Sequence, residues 1–139
     1  MKYEDKKPTI VCSAFVEKDG KFLLVFDPKF KCWRIPGGRP DWGEKLEVAL
    51  AREMEEELNL KMKDFVFLGW GQDIQYHHGH EEDKSRVLMY FHIKTNEEIK
   101  VDEEEAEEWK WLTWEEIKNH DNLEGGMVDF LKKNSKLKL

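Results

Sequence analysis

Two cysteines, four prolines and two glutamines in 139 residues leave little for several function classes to work with. Cys12 and Cys32 are too few for a disulfide framework, and their spacing is no metal motif, so two reduced thiols are expected. No apolar run approaches a membrane span. The start of the chain, MKYEDKKPT, is charged and lacks the apolar core of a signal peptide, so a soluble cytoplasmic protein is expected. No G-x-x-x-x-G-K-[ST] occurs, which excludes a P-loop nucleotidase. Positive charge is also short. The net charge of −7 argues against a nonspecific partner of nucleic-acid polymers.

What is present argues for a folded core. Hydrophobic residues make up 40% of the chain, with six Trp and eight Phe, which outweighs the 38% of charged residues as a sign of order. The length suits a single domain over residues 1–139. Residues 9–16, TIVCSAFV, read as a buried strand. An Asp19-Gly20 turn follows, then a returning strand from Phe22 to Phe26 that Asp27-Pro28 breaks. Trp33 to Gly38 reads as a short strand closing on a glycine turn. A helix is expected from about Lys45 to Leu58, with Leu46, Leu50, Met54 and Leu58 as its core stripe.

Further strands are expected at 65–70, Arg86–Ile93 and Trp109–Leu112, with Gly71 to Ser85 as a long polar loop between the first two. Thr113 to Glu116 is a capping box opening a short helix. Gly125-Gly126 precedes a last amphipathic helix bearing Met127, Phe130 and Leu131. Strands, a central helix, more strands and terminal helices give an α+β class, a sandwich around a mixed sheet.

Chemistry concentrates in residues 38–60. Gly38, Glu44, Arg52, Glu53, Met54, Glu56, Glu57 and Leu60 recur at fixed spacing, and steps of three and four put Glu53, Glu56 and Glu57 on adjoining positions of one helix. Glu57 overlaps the apolar edge, whereas Glu55 points to the opposite side. Crowded carboxylates repel unless a cation lies among them, and hard divalent ions prefer oxygen ligands.

This segment resembles the Nudix box, the signature of hydrolases acting on nucleoside diphosphates linked to another group. The W-x-x-P-G-G run at 33–38 is similar to the family's lead-in. One position departs: Asn59 stands where the family has glycine. Asn best tolerates a left-handed helix end among the other residues, so the backbone path should survive. The resemblance implies a Nudix-type α/β/α sandwich around a mixed β-sheet. It implies Mg²⁺ as cofactor, with Mn²⁺ able to substitute, held by Glu53, Glu56, Glu57 and the carbonyl of Gly38 or Gly37. Arg52 then holds a carboxylate in place, and Glu44 braces the loop.

The general base stays open between Glu53 and the acidic run DEEEAEE, where Glu105 and Glu108 fit the family's E-x-x-E-x-x-W spacing. The ordinary reading of such a run is a solvated loop. Arg34, Trp33 and Tyr76 are candidate substrate contacts, with Trp33, Trp70 or Tyr76 as platforms for base stacking. His77, His78 and His80 lack the spacing of a zinc site and read as a substrate-contact loop. Three functions compete. The first is cleavage of a (deoxy)nucleoside triphosphate to monophosphate and pyrophosphate. The second is hydrolysis of a dinucleoside polyphosphate, which Tyr76 supports and Pro36-Gly37-Gly38 weakens. A Nudix-fold binding protein without turnover is third, disfavoured by the intact glutamates. The partner is a small nucleotide, and a homodimer is open, with Trp109 or Trp114 able to serve an interface or equally to be core.

Overall fold

A computed structural model describes residues 6–75 and 84–139. Strand β1 (Thr9–Lys18) turns at Asp19 and Gly20 into β2 (Lys21–Asp27). Both turn residues have positive φ, 52° and 77°, the geometry that matches the twist of a tight hairpin. The two strands pair antiparallel at Glu17↔Phe22 and Lys18↔Lys21. Further along, β1 takes another partner. Strand β4 (Gly37–Gly38), reached through β3 (Cys32–Arg34), pairs with Cys12 and Ser13. The Pro36 carbonyl accepts from Ala14 N. The glycine turn is thus clamped into the sheet where β1 and β2 diverge.

On its other side β1 runs parallel to β6 (Lys84–Lys94), from Thr9↔Arg86 to Glu17↔Lys94, and β6 pairs antiparallel with β5 (Val66–Gln75). Strand β7 (Trp109–Leu112) pairs with β2, so the sheet is mixed, in the order β3-β2-β1-β6-β5 with β4 and β7 added to β1 and β2. Alternation then sorts the side chains. Cys12, Ala14, Val16, Phe91 and Ile93 face helix α1 (Leu46–Leu58), which buries Leu50, Met54 and Leu58 against them. Phe15, Leu88 and Tyr90 face α2 (Trp114–Lys118) and α3 (Gly125–Lys133), through Ile117, Met127 and Phe130. This is the expected α/β/α sandwich.

Helix α1 ends at Asn59 with φ 53° and ψ 34°, and Asn59 N donates to the Glu55 carbonyl. The left-handed cap expected of Asn is what forms. Asn59→Ala should cost about 1 kcal/mol, while Asn59→Gly should be neutral or slightly stabilising. Urea denaturation of the two variants measures the difference. Thr113 accepts from Glu116 N while the Glu116 carboxylate accepts from Thr113 N, closing the capping box as read. Cys12 and Cys32 are free thiols, each pushed up to about 11, mainly by burial.

Two expectations need correction. Residues 71–75 and 84–85 are strand rather than polar loop. Their polarity serves a buried ion pair instead: Asp73 is almost wholly buried and binds Arg86 at 2.6 Å across the β5–β6 pair. Gly125 and Gly126 do not precede α3 but form its first turn. A side chain on Gly126 would collide with Leu88 and the Tyr90 hydroxyl, so glycine lets the helix settle onto the sheet. Of the two readings open for Trp114, core is the one that forms. Its ring packs edge-on to Phe15, and its Nε1 donates to the Leu137 carbonyl at 3.0 Å. Trp109 is 39% exposed. Tyr76, His77, His78 and His80 lie outside the described residues. Among those described, no helix is long and apolar enough to cross a membrane.

Candidate active site

The loop before α1 is built around one guanidinium. Arg52 Nε and Nη2 donate to the two oxygens of Glu44 at 3.0 and 2.9 Å, a forked pair of fixed geometry. Glu44 in turn accepts from Asp41 N at 2.9 Å, and Arg52 Nη2 reaches the Arg39 carbonyl at 3.2 Å. These bonds tie the 39–44 loop to the helix. Hydrogen bonding from Arg52 holds the Glu44 carboxyl down to about 2, so it is ionised and occupied. Glu44 braces the loop, as read from the sequence.

Arg52 Nη1 also donates to Glu53 Oε1 at 2.9 Å and lies 3.6 Å from Glu56. The Glu53 carboxylate rests against Gly38. A Cβ there would come within 2.4 Å of its carboxyl carbon, so only glycine admits it. Glu57 is the buried member, at 7% exposure, and its Oε2 accepts from Gly37 N at 3.1 Å. Burial pushes its carboxyl up to about 7, with Glu53 and Glu105 adding repulsion against the pull of Arg34. Glu53 is also raised, first by burial, then by Glu56 and Glu105, against Arg52. Glu56 faces solvent.

The acidic run reaches the same place. Asp102 N donates to the Glu57 carbonyl at 2.8 Å, and Ala106 is buried, which pins 102–106 beside the end of α1. Glu105 is therefore close enough for its charge to act on both Glu53 and Glu57. The Glu108 carbonyl is engaged elsewhere, by Phe26 N.

These residues suit a hard divalent cation. Two partly or wholly buried carboxylates stand against a glycine pair whose carbonyl oxygens are donors of the same kind, and both carboxyls are raised, first by burial and then by their acidic neighbours. Among the described residues no three acidic, histidine or cysteine side chains already form a closed ligand set. Glu53 is turned onto Arg52 and Glu56 outward.

Gly37 and Gly38 also line a cavity of about 790 Å³. Its other walls include Lys29, Phe30, Arg34, Arg39, Lys84, Arg86 and Glu124. The chain is acidic overall, yet this concavity is mostly basic, which offsets the repulsion a polyphosphate would meet. Arg34 lies in it, 3.4 Å from Asp27. Trp33 does not. On a short strand neighbours point to opposite faces, and the Trp33 ring packs on Phe26 and His120 with Lys110 Nζ 4.1 Å above it. Its expected stacking role is corrected on that ground. Trp70 is no cavity wall either; Lys133 covers its ring at 3.3 Å.

Among the described residues, Phe30 is the aromatic that lines the cavity. Asp27 Oδ1 accepts from Lys29 N and Phe30 N, a turn that presents the ring, and Lys84 Nζ sits 3.5 Å over it. The Asp27-Pro28 break was the sequence signal for that turn. Nothing in the sequence marked Glu124, which is buried and within 3.3 Å of Arg86.

The comparisons agree with this geometry. The NUDIX domain family model matches residues 6–133. Nucleoside triphosphatase NudI of Escherichia coli K12 is 30% identical over 130 residues, spanning 84% of this chain and 89% of that protein. The crystal structure of a MutT NUDIX hydrolase from Burkholderia pseudomallei superposes with a TM-score of 0.67 at 28% identity, over 78% of this chain and 84% of that one. A MutT protein from Methanosarcina mazei Go1 has the same fold, with a TM-score of 0.78 at 23% identity over 94% and 96% of the two chains. The chain therefore belongs to the Nudix hydrolase family.

Proposed function

We propose that the chain cleaves (deoxy)nucleoside triphosphates to monophosphate and pyrophosphate with Mg²⁺, Mn²⁺ being able to substitute. Glu53, Glu56, Glu57 and the Gly38 carbonyl would hold the ion. A bound ion there would acidify water and offset charge on the phosphates. The observation that carries the reading is the approach of Glu53 and Glu57 to Gly38 and Gly37, which are also walls of the basic cavity. The glycine turn thus has carboxylates against it and is itself a wall of the cavity with the phosphate-attracting side chains. That NudI is a nucleoside triphosphatase supports the choice of substrate.

The chain's own residues divide the work. Arg52 fixes Glu53 and, through Glu44, the loop. Arg34 and Arg39 face the phosphates. The proton acceptor would be Glu53 or Glu105, whose charges both act on Glu57, since a carboxylate base requires only hydrogen-bond reach of the water it deprotonates. An assay reading pyrophosphate and phosphate separately tests this. Pyrophosphate with a monophosphate should appear in Mg²⁺ and vanish in excess EDTA. Release of ATP and AMP from diadenosine tetraphosphate, with triphosphates untouched, would replace this reading with the dinucleoside one.

A further inference from the structure

The loop after α2 carries a histidine with both ring nitrogens engaged. His120 Nδ1 meets the Asp121 carbonyl, and Nε2 lies 2.7 Å from Lys110 Nζ on β7. The ammonium of Lys110 has only hydrogens to offer. Nε2 must therefore accept, which leaves the ring proton on Nδ1, donated to the Asp121 carbonyl. The geometry selects one neutral tautomer. The same ammonium stands 4.1 Å above the Trp33 ring, and the His120 ring packs edge-on to that ring at 6.3 Å.

Trp33 anchors β3 rather than the cavity itself. Its N donates to the Asn122 carbonyl and its own carbonyl accepts from Glu124 N, both at 2.9 Å, so β3 is stitched to residues 122–124. Asn122 Nδ2 adds a bond to the Lys31 carbonyl at 3.1 Å. Arg34, next on β3, and Glu124, at the end of the stitch, are both cavity walls. A proton on Nε2 is incompatible with this arrangement, because two cations would then face each other at 2.7 Å. The neighbouring charges do little to offset that. Asp121 Oδ1 is 4.0 Å from Nδ1 on a fully exposed side chain. From α2 the exposed Glu116 faces Lys110, but Lys21 of β2 adds positive charge beside it. Strand β3 presents the uncharged Trp33 ring.

We propose that His120 is a positioning residue for the cavity and a proton-operated latch on its wall: the neutral imidazole holds Lys110 on Trp33 and keeps β3 joined to residues 122–124, and the imidazolium releases both. The inference rests on the nucleotide reading above for its ligand alone. Neither His120 nor Lys110 lines the cavity, so the proton acts on the nucleotide through the strand. Once the stitch loosens, Arg34 and the 122–124 segment no longer hold one wall in place. The apparent affinity then falls with the fraction of chains still latched. Histidine suits such a task because it changes charge within the range that cells visit.

Nitrogen-15 spectra of the ring at pH 8 should show His120 protonated at Nδ1 and bare at Nε2; a proton on Nε2 overturns the latch. Between pH 8 and pH 5.5 the amide signals of Trp33 and Glu124 should move together in the ligand-free chain. They should stay in place in His120→Gln, whose amide oxygen still accepts from Lys110 and takes no proton. Amides that stay fixed in the wild-type chain also overturn it. Calorimetry with Mg²⁺ and the non-hydrolysable α,β-imido analogue of dATP reads the effect on the cavity. Acid weakens binding in every variant as Glu57 takes up a proton, so the variants are compared with one another. The wild-type chain should lose about tenfold more affinity over that range than His120→Gln. Lys110→Met keeps a stem on Trp33 but has no charge to expel. It should also lack the excess loss, and it carries the test if the glutamine variant fails to fold. Equal losses in all three chains refute the coupling to the cavity. A wild-type chain that binds no nucleotide refutes the nucleotide reading, and the amide signals then decide the latch. Excess loss of binding with no turnover of any triphosphate upholds the latch and refutes the triphosphatase reading instead.

Discussion

Glu57→Gln should give a chain that is more stable than wild type at pH 8 in EDTA and nearly inactive in Mg²⁺. Both effects come from one buried charge. The Glu57 carboxyl titrates at about 7 in the folded chain against 4.5 ordinarily, because burial penalises the anion. A raised carboxyl means that the folded state binds more protons than the unfolded state between those two values. Stability therefore falls as pH rises from 4.5 to about 7, and the loss is complete above that. Its upper size is about 3 kcal/mol. Glutamine carries no charge and still accepts from Gly37 N, so it should recover much of that loss at pH 8 and none near pH 4. For a chain of this length that is a Tm gain of up to about 10 °C in EDTA.

In Mg²⁺ the order reverses. The wild-type chain gains stability by binding the ion, while the variant has lost a charged ligand and should drop in kcat by at least about 100-fold. Thermal melts at pH 4, 6 and 8, with and without Mg²⁺, separate the two effects. Equal melting temperatures in EDTA at pH 8 would remove the case for a charge held in reserve at this site.

The helical part of this site was legible in the sequence and the strand part was not, for a physical reason. On α1 the spacing of Arg52, Glu53, Glu56 and Glu57 dictates their facing, since 3.6 residues per turn leaves no freedom once the apolar stripe is known. The overlap of Glu57 with the buried edge followed from that alone. The box at Thr113 was legible because it is local, and the cap at Asn59 because the resemblance marks that position and Asn tolerates its geometry. Trp33 failed because the parity of a three-residue strand cannot be read without its partner, and β2 decides it. Phe30 was missed because a turn residue has no periodicity. The polar stretch 71–75 was misread because its partner, Arg86, is across the β5–β6 pair rather than nearby in sequence. Asp73, Arg86 and Glu124 become a group only when three distant segments meet.

The adjoining glycines should separate folding from catalysis. Neither has a positive φ, so alanine costs nothing in backbone strain and the outcome rests on what its methyl group meets. At Gly37 that is backbone: the Cys12 carbonyl oxygen at 2.1 Å and Ser13 Cα at 2.6 Å. Nothing there can swing aside, and relief requires β4 to part from β1. Gly37→Ala should lose about 3 kcal/mol or more.

At Gly38 the methyl group first meets the Glu53 carboxylate, whose carbon and oxygens lie at 2.4 to 2.7 Å. That group ends a flexible side chain and can rotate. Gly38→Ala should therefore melt within a few degrees of wild type, yet lose about 100-fold in kcat as Glu53 leaves its place beside the glycine carbonyls. Urea denaturation and steady-state turnover on both variants give the comparison. Full activity in Gly38→Ala would show that the position of Glu53 against the glycine turn is packing and not catalysis. A loss of fold in both would show that the turn tolerates no methyl group at all.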